Sequence, residues 1–166
     1  MIPPSLLSIP SDNLILLSDV NAGEFQSLPI AVEKKRPTKV GGESFNHLKD
    51  IWLLSGGRED LHLDGMPPWT PLCCGSLVKY AAVATNRADL LVQIMPTKSA
   101  HVWDHAAGIT AVVASGGYVT DENLKPVLFT DTQIIISKAS TAIVATGPHA
   151  DHEYFCALVR RGLQTF

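Results

Sequence analysis

The placement of proline and glycine divides this chain more sharply than any other feature. Pro3, Pro4, Pro10, Pro29, Pro37, Pro67 and Pro68, with the pairs Gly41-Gly42 and Gly56-Gly57, all fall within residues 1–70. Each proline lacks an amide proton and collides with the turn before it, so this segment has room only for short strands. Asn13–Ser18 and Glu24–Val32 read as strands, and Ile51–Leu54 as a third. Glu33-Lys34-Lys35-Arg36 before Pro37 reads as a solvated loop, since mixed charges beside a proline make no directional site.

Past that segment the pattern changes. Apolar or small residues at 74, 77, 78, 81, 82, 85 and 88 form the stripe of a core-facing helix, which predicts helix over Cys74–Ala88. Asp89–Met95, closed by Pro96, reads as a strand. Asp104–Ser115 reads as a second helix, with Asp104 in the N-cap place and Gly116-Gly117 as the stop. Thr132–Ser137 and Thr141–Thr146 are β-branched strands, and Gly147-Pro148 turns the chain into a helix over His149–Leu163. This order predicts the α/β class, a mixed sheet covered by helices. The organisation expected is a short-strand segment 1–70 followed by an α/β unit 71–166, together one compact body.

Composition narrows the partners. A chain of 166 residues, 46% hydrophobic, is long enough to bury about 70% of its unfolded surface without staples. Its 13 Lys and Arg against 16 Asp and Glu leave a charge of −3, with no basic stripe to meet a phosphate backbone, so nucleic acid is not expected as a partner. Cys73, Cys74 and Cys156 make neither a disulfide framework nor a CxxC set, and read as reduced thiols, Cys73-Cys74 as core. The runs Leu14–Leu17 and Ile134–Ile136 fall far short of the ~20 residues of a membrane helix. Met1–Ser5 carries no basic flank of a signal segment. A cytoplasmic chain without a membrane partner is the expectation.

The densest group of chemistry-bearing residues is His101-Val102-Trp103-Asp104-His105-Ala106-Ala107-Gly108, followed by Gly116-Gly117-Tyr118-Val119-Thr120-Asp121. An acid where a helix begins stands beside unpaired N–H groups and the positive end of the dipole, a place for a cation and a phosphate together. Asp104 could coordinate Mg²⁺ while the N–H groups of residues 105–108 face a phosphoryl oxygen, with Ala106, Ala107 and Gly108 small enough for close approach. Asp104 as a plain helix cap is the competing reading. Ser76 and Lys79, three apart, share a helix face as a phosphate clamp requires. His101 and His105 lack the third ligand of a zinc site, and His149 and His152 read as surface histidines. Trp103 is expected to pack under the Asp104 loop and fix its direction.

Trp103–Gly108 followed by Gly116–Asp121 resembles the C-terminal signature of the inositol monophosphatase superfamily, with the 3'(2'),5'-bisphosphate nucleotidases as the nearest branch. The resemblance extends upstream through Ser76–Tyr80 and Ala88-Asp89, covering 71–146 well and 13–32 loosely. It implies the C-terminal domain of that fold, Mg²⁺ as cofactor, Asp104 as a metal ligand, and Ser76 and Lys79 as substrate contacts. The resemblance carries these roles to Asp104, Ser76 and Lys79 only; the candidate substrate site read from the residues adds Asp104 itself, His105, Ala106 and Ala107, with Trp103, Gly108, Gly116 and Gly117 in support. The implied reaction is hydrolysis of 3'-phosphoadenosine 5'-phosphate to AMP and phosphate.

The sequence also departs from that pattern. The family's Glu-Glu pair and Asp-Pro-Ile-Asp-Gly-Thr type loop have no counterpart: Glu33, Glu43 and Glu59 are isolated, and Asp50, Asp60 and Asp64 stand in no such context. Gln93 replaces a strand-end Arg and cannot supply a permanent charge, and Ala114-Ser115 replaces Glu-Ala before the glycine pair. No catalytic residue is therefore assigned. The sequence reads as the C-terminal half of a nucleotidase, from a truncated gene, a misplaced start or a reduced paralogue, inactive alone and open to self-association or to pairing with an N-terminal half. The alternatives are a non-catalytic nucleotide- or protein-binding remnant and an inositol phosphate phosphatase fragment.

Overall fold

The computed structural model describes residues 5–9, 14–19, 24–29, 51–56, 61–63, 68–72 and 75–164. Strands β1 (Ser5–Ile9), β2 (Leu14–Asp19) and β3 (Glu24–Pro29) form an antiparallel meander. After them come β4 (Trp52–Ser55), α1 (Ser76–Ala84), β5 (Leu90–Ile94), β6 (Ser99–His101), a 3-10 turn (Val102–Asp104), α2 (Ala106–Ala114), β7 (Tyr118–Asp121), β8 (Leu128–Phe129), β9 (Gln133–Ile135), β10 (Ala142–Thr146) and α3 (His152–Gln164).

The central sheet has the order β4-β5-β10-β7. β4 and β5 run parallel, Trp52 opposite Leu90 and Ser55 opposite Gln93, while β10 is antiparallel to both β5 and β7. This sheet is buried on both faces, and period 2 sorts its side chains between two cores. Leu53, Leu91, Ile143 and Ala145 face α1 and α2, packing with Tyr80, Val83, Ile109 and Val112. Trp52, Leu90, Val92, Ala142 and Val144 face α3, packing with Phe155, Leu158 and Val159. The β1–β3 meander lies against α2. A third sheet, β6-β9-β8, carries the chain from β5 toward α2. The mixed sheet with helical cover that the sequence order predicts is therefore present.

Helix ends differ from the sequence expectation for local reasons. α1 stops at Ala84, because the Thr85 hydroxyl donates back to the Ala81 carbonyl at 2.7 Å and Asn86 turns left-handed at φ 56°, a conformation Asn tolerates. The expected start of this helix at Cys74, and the Cys73-Cys74 pair with it, lie outside the described residues. α3 begins at His152, since the Asp151 carboxylate accepts the Tyr154 amide at 3.0 Å and so caps the helix. β1, β6, β7 and β8 are two to five residues long, too short for alternation to announce them.

His152 is not the surface histidine expected; it is 8% exposed. Thr120 on β7 spends its hydroxyl proton on the Asp121 carbonyl at 2.8 Å, and therefore accepts from His152 Nε2 at 2.8 Å. The Thr146 hydroxyl on β10 donates to Nδ1 at 2.9 Å. The start of α3 is thus tied to two strands through one neutral ring, and burial lowers the imidazole pKa against the opposing pull of Asp151. Cys156, one turn on, is a free buried thiol whose pKa burial pushes up to about 11, so it is an inert packing group.

Candidate functional site

The carboxyl ends of β4 and β5 and the first turn of α1 hold one polar cluster. Ser76, the first residue of α1, donates to Gln93 Oε1 at 2.7 Å, and its oxygen lies 3.3 Å from Ser55 Oγ. Lys79, one turn on, donates to the Leu54 carbonyl at 2.9 Å. Ser76 and Lys79 thus share a face, as their spacing predicts, and reach consecutive residues at the end of β4. Gly75 supplies no side-chain cap, leaving the first α1 amides without a side-chain partner. The crevice outside the carboxyl ends of parallel strands is where open α/β sheets commonly bind ligands.

A second cluster is built from the 3-10 turn and the start of α2. Asp104 ends the turn and is exposed; the N-cap of α2 is His105, and no side chain caps the helix. Asp104 is therefore not the cap that the sequence suggested. The His105 amide donates to the Val102 carbonyl at 3.2 Å, so only the amides of Ala106, Ala107 and Gly108 lack an intrahelical acceptor by helix geometry. Ala106 and Ala107 are half-buried and Gly108 is buried.

His105 turns inward. It is 4% exposed, with Nδ1 at 3.4 Å from the Tyr80 hydroxyl and the two rings edge to face at 5.9 Å. Burial lowers the His105 pKa against the pull of neighbouring Asp104, and burial raises the Tyr80 hydroxyl above its ordinary range. Tyr80 on α1 thereby fixes the residue after Asp104, so the two clusters are linked through α1.

Trp103 does not pack beneath the loop. It is 61% exposed and stacks flat on His101, with ring centroids 4.4 Å apart and planes 9° apart. His101 and His105 therefore face different neighbours. Gly116 has φ 88°, the left-handed turn that ends α2. A Cβ on Gly117 would collide with the Thr146 carbonyl oxygen. Sequence reasoning missed Ser55 and Tyr80: Ser55 stands before Gly56-Gly57 and reads as part of a break, and Tyr80 lies off the predicted apolar stripe.

Among the described residues the donors do not make a complete metal site. Mg²⁺ takes near-octahedral oxygen ligands, yet among the described residues no group of three or more His, Cys, Asp or Glu is positioned to hold an ion. Among the described residues, Asp121 and Glu122 are engaged elsewhere. Asp121, fully buried, accepts the amides of Asn123 and Lys125 at 2.9 Å each and that of Ser137 at 3.3 Å. Burial would raise its pKa, but hydrogen bonds from Ser137, Ser140 and the Lys125 and Asn123 amides outweigh that and lower it. Glu122 accepts the Thr141 amide at 2.7 Å and the Ala142 amide at 3.1 Å.

A model of the inositol monophosphatase family matches residues 46–163. The chain is 48% identical over 52 residues to an Arabidopsis thaliana mitochondrial protein provisionally named a 3'(2'),5'-bisphosphate nucleotidase, a match spanning 31% of this chain and 13% of that protein. It is 35% identical over 69 residues to 3'(2'),5'-bisphosphate nucleotidase 2 of Candida albicans, spanning 40% of this chain and 19% of that one. The matched stretches thus span less than a fifth of either relative. Among solved structures, an inositol monophosphatase from Anabaena aligns with TM-score 0.59 at 18% identity, covering 98% of this chain and 60% of its own. One from Thermotoga maritima aligns with TM-score 0.61 at 15% identity, covering 96% and 56%. These two share the fold. Among the described residues no helix is long and apolar enough to cross a membrane.

Proposed function

The chain belongs to the inositol monophosphatase family, and from that premise we propose that it binds a phosphorylated nucleotide of the 3'(2'),5'-bisphosphate type. The reaction of the complete enzyme would be hydrolysis of 3'-phosphoadenosine 5'-phosphate to AMP and phosphate. The observation that carries this reading is the exposed Asp104 one residue ahead of the cap of α2, whose first turn no side chain caps. A phosphoryl oxygen placed there accepts from the amides of Ala106, Ala107 and Gly108, with the helix dipole in its favour. Support for a nucleotide over an inositol phosphate comes from the Ser76–Tyr80 stretch beside Trp103–Gly108 and from the relatives' names.

Mg²⁺ belongs to this proposal as the cofactor of the complete enzyme. Because Asp104 has no partner set among the described residues, no hydrolytic step is assigned to this chain. We propose that it binds ligand without turning it over, since the charge stabilisation a metal supplies is worth several kcal/mol of barrier. The same observation favours a second reading, a non-catalytic nucleotide-binding protein.

The test is phosphate release from 3'-phosphoadenosine 5'-phosphate with millimolar Mg²⁺, beside calorimetric titration with AMP. Binding of AMP without turnover is expected. Turnover in the ordinary enzyme range of about 1 to 10³ per second would overturn the inactive assignment. Binding of inositol monophosphate but not AMP would overturn the nucleotide one.

A further inference from the structure

His152 is the first residue of α3 and the point at which that helix is bonded to two strands. The protons around it have one consistent assignment. The Asp121 carbonyl only accepts, so Thr120 donates to it at 2.8 Å and takes the Nε2 proton of the ring at 2.8 Å. Nδ1 is then the bare nitrogen, and the Thr146 hydroxyl donates to it at 2.9 Å. The Tyr118 ring is stacked against the imidazole at 5.6 Å, and Cys156, one turn on, has Sγ 3.5 Å from Nε2. A second proton has no place here. On Nδ1 it would set donor against donor at the Thr146 hydroxyl, and Thr146 is fully buried. It would also put a cation at the positive end of the α3 dipole.

We propose that His152 is an acid-sensitive latch on α3: neutral, it binds the helix start to β7 and β10; protonated, it frees the first turn of α3 while the central sheet stays folded. What the latch holds down is Phe155, whose ring meets Trp52 of β4 edge to face at 5.4 Å, and behind it the Cys156 thiol, 1% exposed. On β7 the ring faces Tyr118 and Thr120, beside the Asp121 and Glu122 carboxylates, which backbone amides already hold. On β10 it faces Thr146. On its own side stand Asp151, Glu153, Cys156 and, a turn beyond that thiol, Arg160, with exposed His149 in the turn before α3. Asp151 favours a charged ring, but its carboxylate also caps the Tyr154 amide at 3.0 Å, and burial outweighs its pull on the imidazole. The charged ring is therefore better served by water than by the closed latch.

The test is thiol labelling of the full chain with a disulfide reagent that reacts in acid. The label on Cys156 is located by peptide mapping, and its rate is divided by that of the urea-unfolded chain at the same pH. A ring with the ordinary pKa of 6.5 when open and a lower one when closed raises the open population by up to about tenfold between about pH 7.5 and about pH 5.5. Cys156 labelling should rise several-fold toward that ceiling, with little response to low urea, because a local opening exposes little surface. His152→Gln keeps a donor for Thr120 and cannot take up the proton, so its labelling should not change with pH. Wild-type labelling that is the same at both pH values, an equal rise in His152→Gln, or a rise with the urea slope of global unfolding would overturn the proposal. Where His152→Gln does not fold, ¹⁵N spectra of the wild-type ring decide. An Nε2–H tautomer at about pH 7.5 that gives way to imidazolium in step with labelling supports the latch; an Nδ1–H tautomer, or a ring that is protonated with no rise in labelling, sinks it.

Discussion

Tyr80 packs directly on the backbone of Gly108: a Cβ built on that glycine would stand 2.6 Å from the Tyr80 Cβ and 2.7 Å from its Cγ. This contact brings α1 and α2 together and carries the Tyr80 ring to His105. Gly108→Ala would gain about 0.5–1 kcal/mol of helix propensity and lose about 1–3 kcal/mol to overpacking, because the atoms it meets belong to the root of a buried ring that cannot swing aside. A net loss of stability in urea melts is expected, together with weaker AMP binding as the start of α2 shifts. A variant as stable as the wild type would show that the two helices separate freely.

That contact also marks how far the sequence was legible. The core strands β5 and β10 announce themselves as mostly apolar runs because both of their faces are buried, and the small residues Ala106, Ala107 and Gly108 mark a helix start that must be approached closely. What periodicity could not show is where a polar side chain spends its hydrogen bonds. Asp104 looked like a cap because it precedes an alanine-rich helix, but a 3-10 turn moved the cap to His105. His152 looked exposed because it lies near a helix start, whereas two threonines distant in sequence buried it. Ser76 looked like a phosphate donor, and only the partnership with Gln93 shows that its proton is spent.

Stability should fall with acid. His105 and His152 are held neutral by burial, their folded pKa values below the 6.5 they have when unfolded. As pH drops through the unfolded value, the unfolded chain takes up protons that the folded one refuses. Their contribution is therefore complete above about pH 6.5 and is lost progressively toward the lower folded values. Urea denaturation should give a smaller unfolding free energy at about pH 5.5 than at about pH 7.5, and His152→Gln should flatten part of that slope. A wild-type profile without slope across this range would contradict the threonine-clamped ring.

Association is expected as well. Trp103, Tyr118, Leu128 and Tyr154 are 61%, 56%, 59% and 48% exposed, and apolar surface of this kind tends to find a partner where it is contiguous. Light scattering after size exclusion should give a mass above the 17.9 kDa of one chain. A monomer with low dye binding and a cooperative melt would count against it.

Asp121 and Asp104 differ in what they hold, and their amide variants should separate binding from folding. Asp121 is fully buried and accepts three backbone amides that order the turn after β7 and the segment after β9. Asp121→Asn keeps the shape but removes the charge and presents donors to donors, which should cost about 1–3 kcal/mol. Asp104 is exposed and caps no helix, so Asp104→Asn should change stability by no more than about 0.5 kcal/mol. Its effect should appear instead in the metal dependence of nucleotide binding: if Asp104 helps hold a cation against a phosphoryl group, added Mg²⁺ should tighten AMP binding to the wild type and do nothing for Asp104→Asn. Equal Mg²⁺ enhancement in both would remove Asp104 from the site. A stability loss in Asp104→Asn as large as that of Asp121→Asn would return it to the structural role that its place before α2 first suggested.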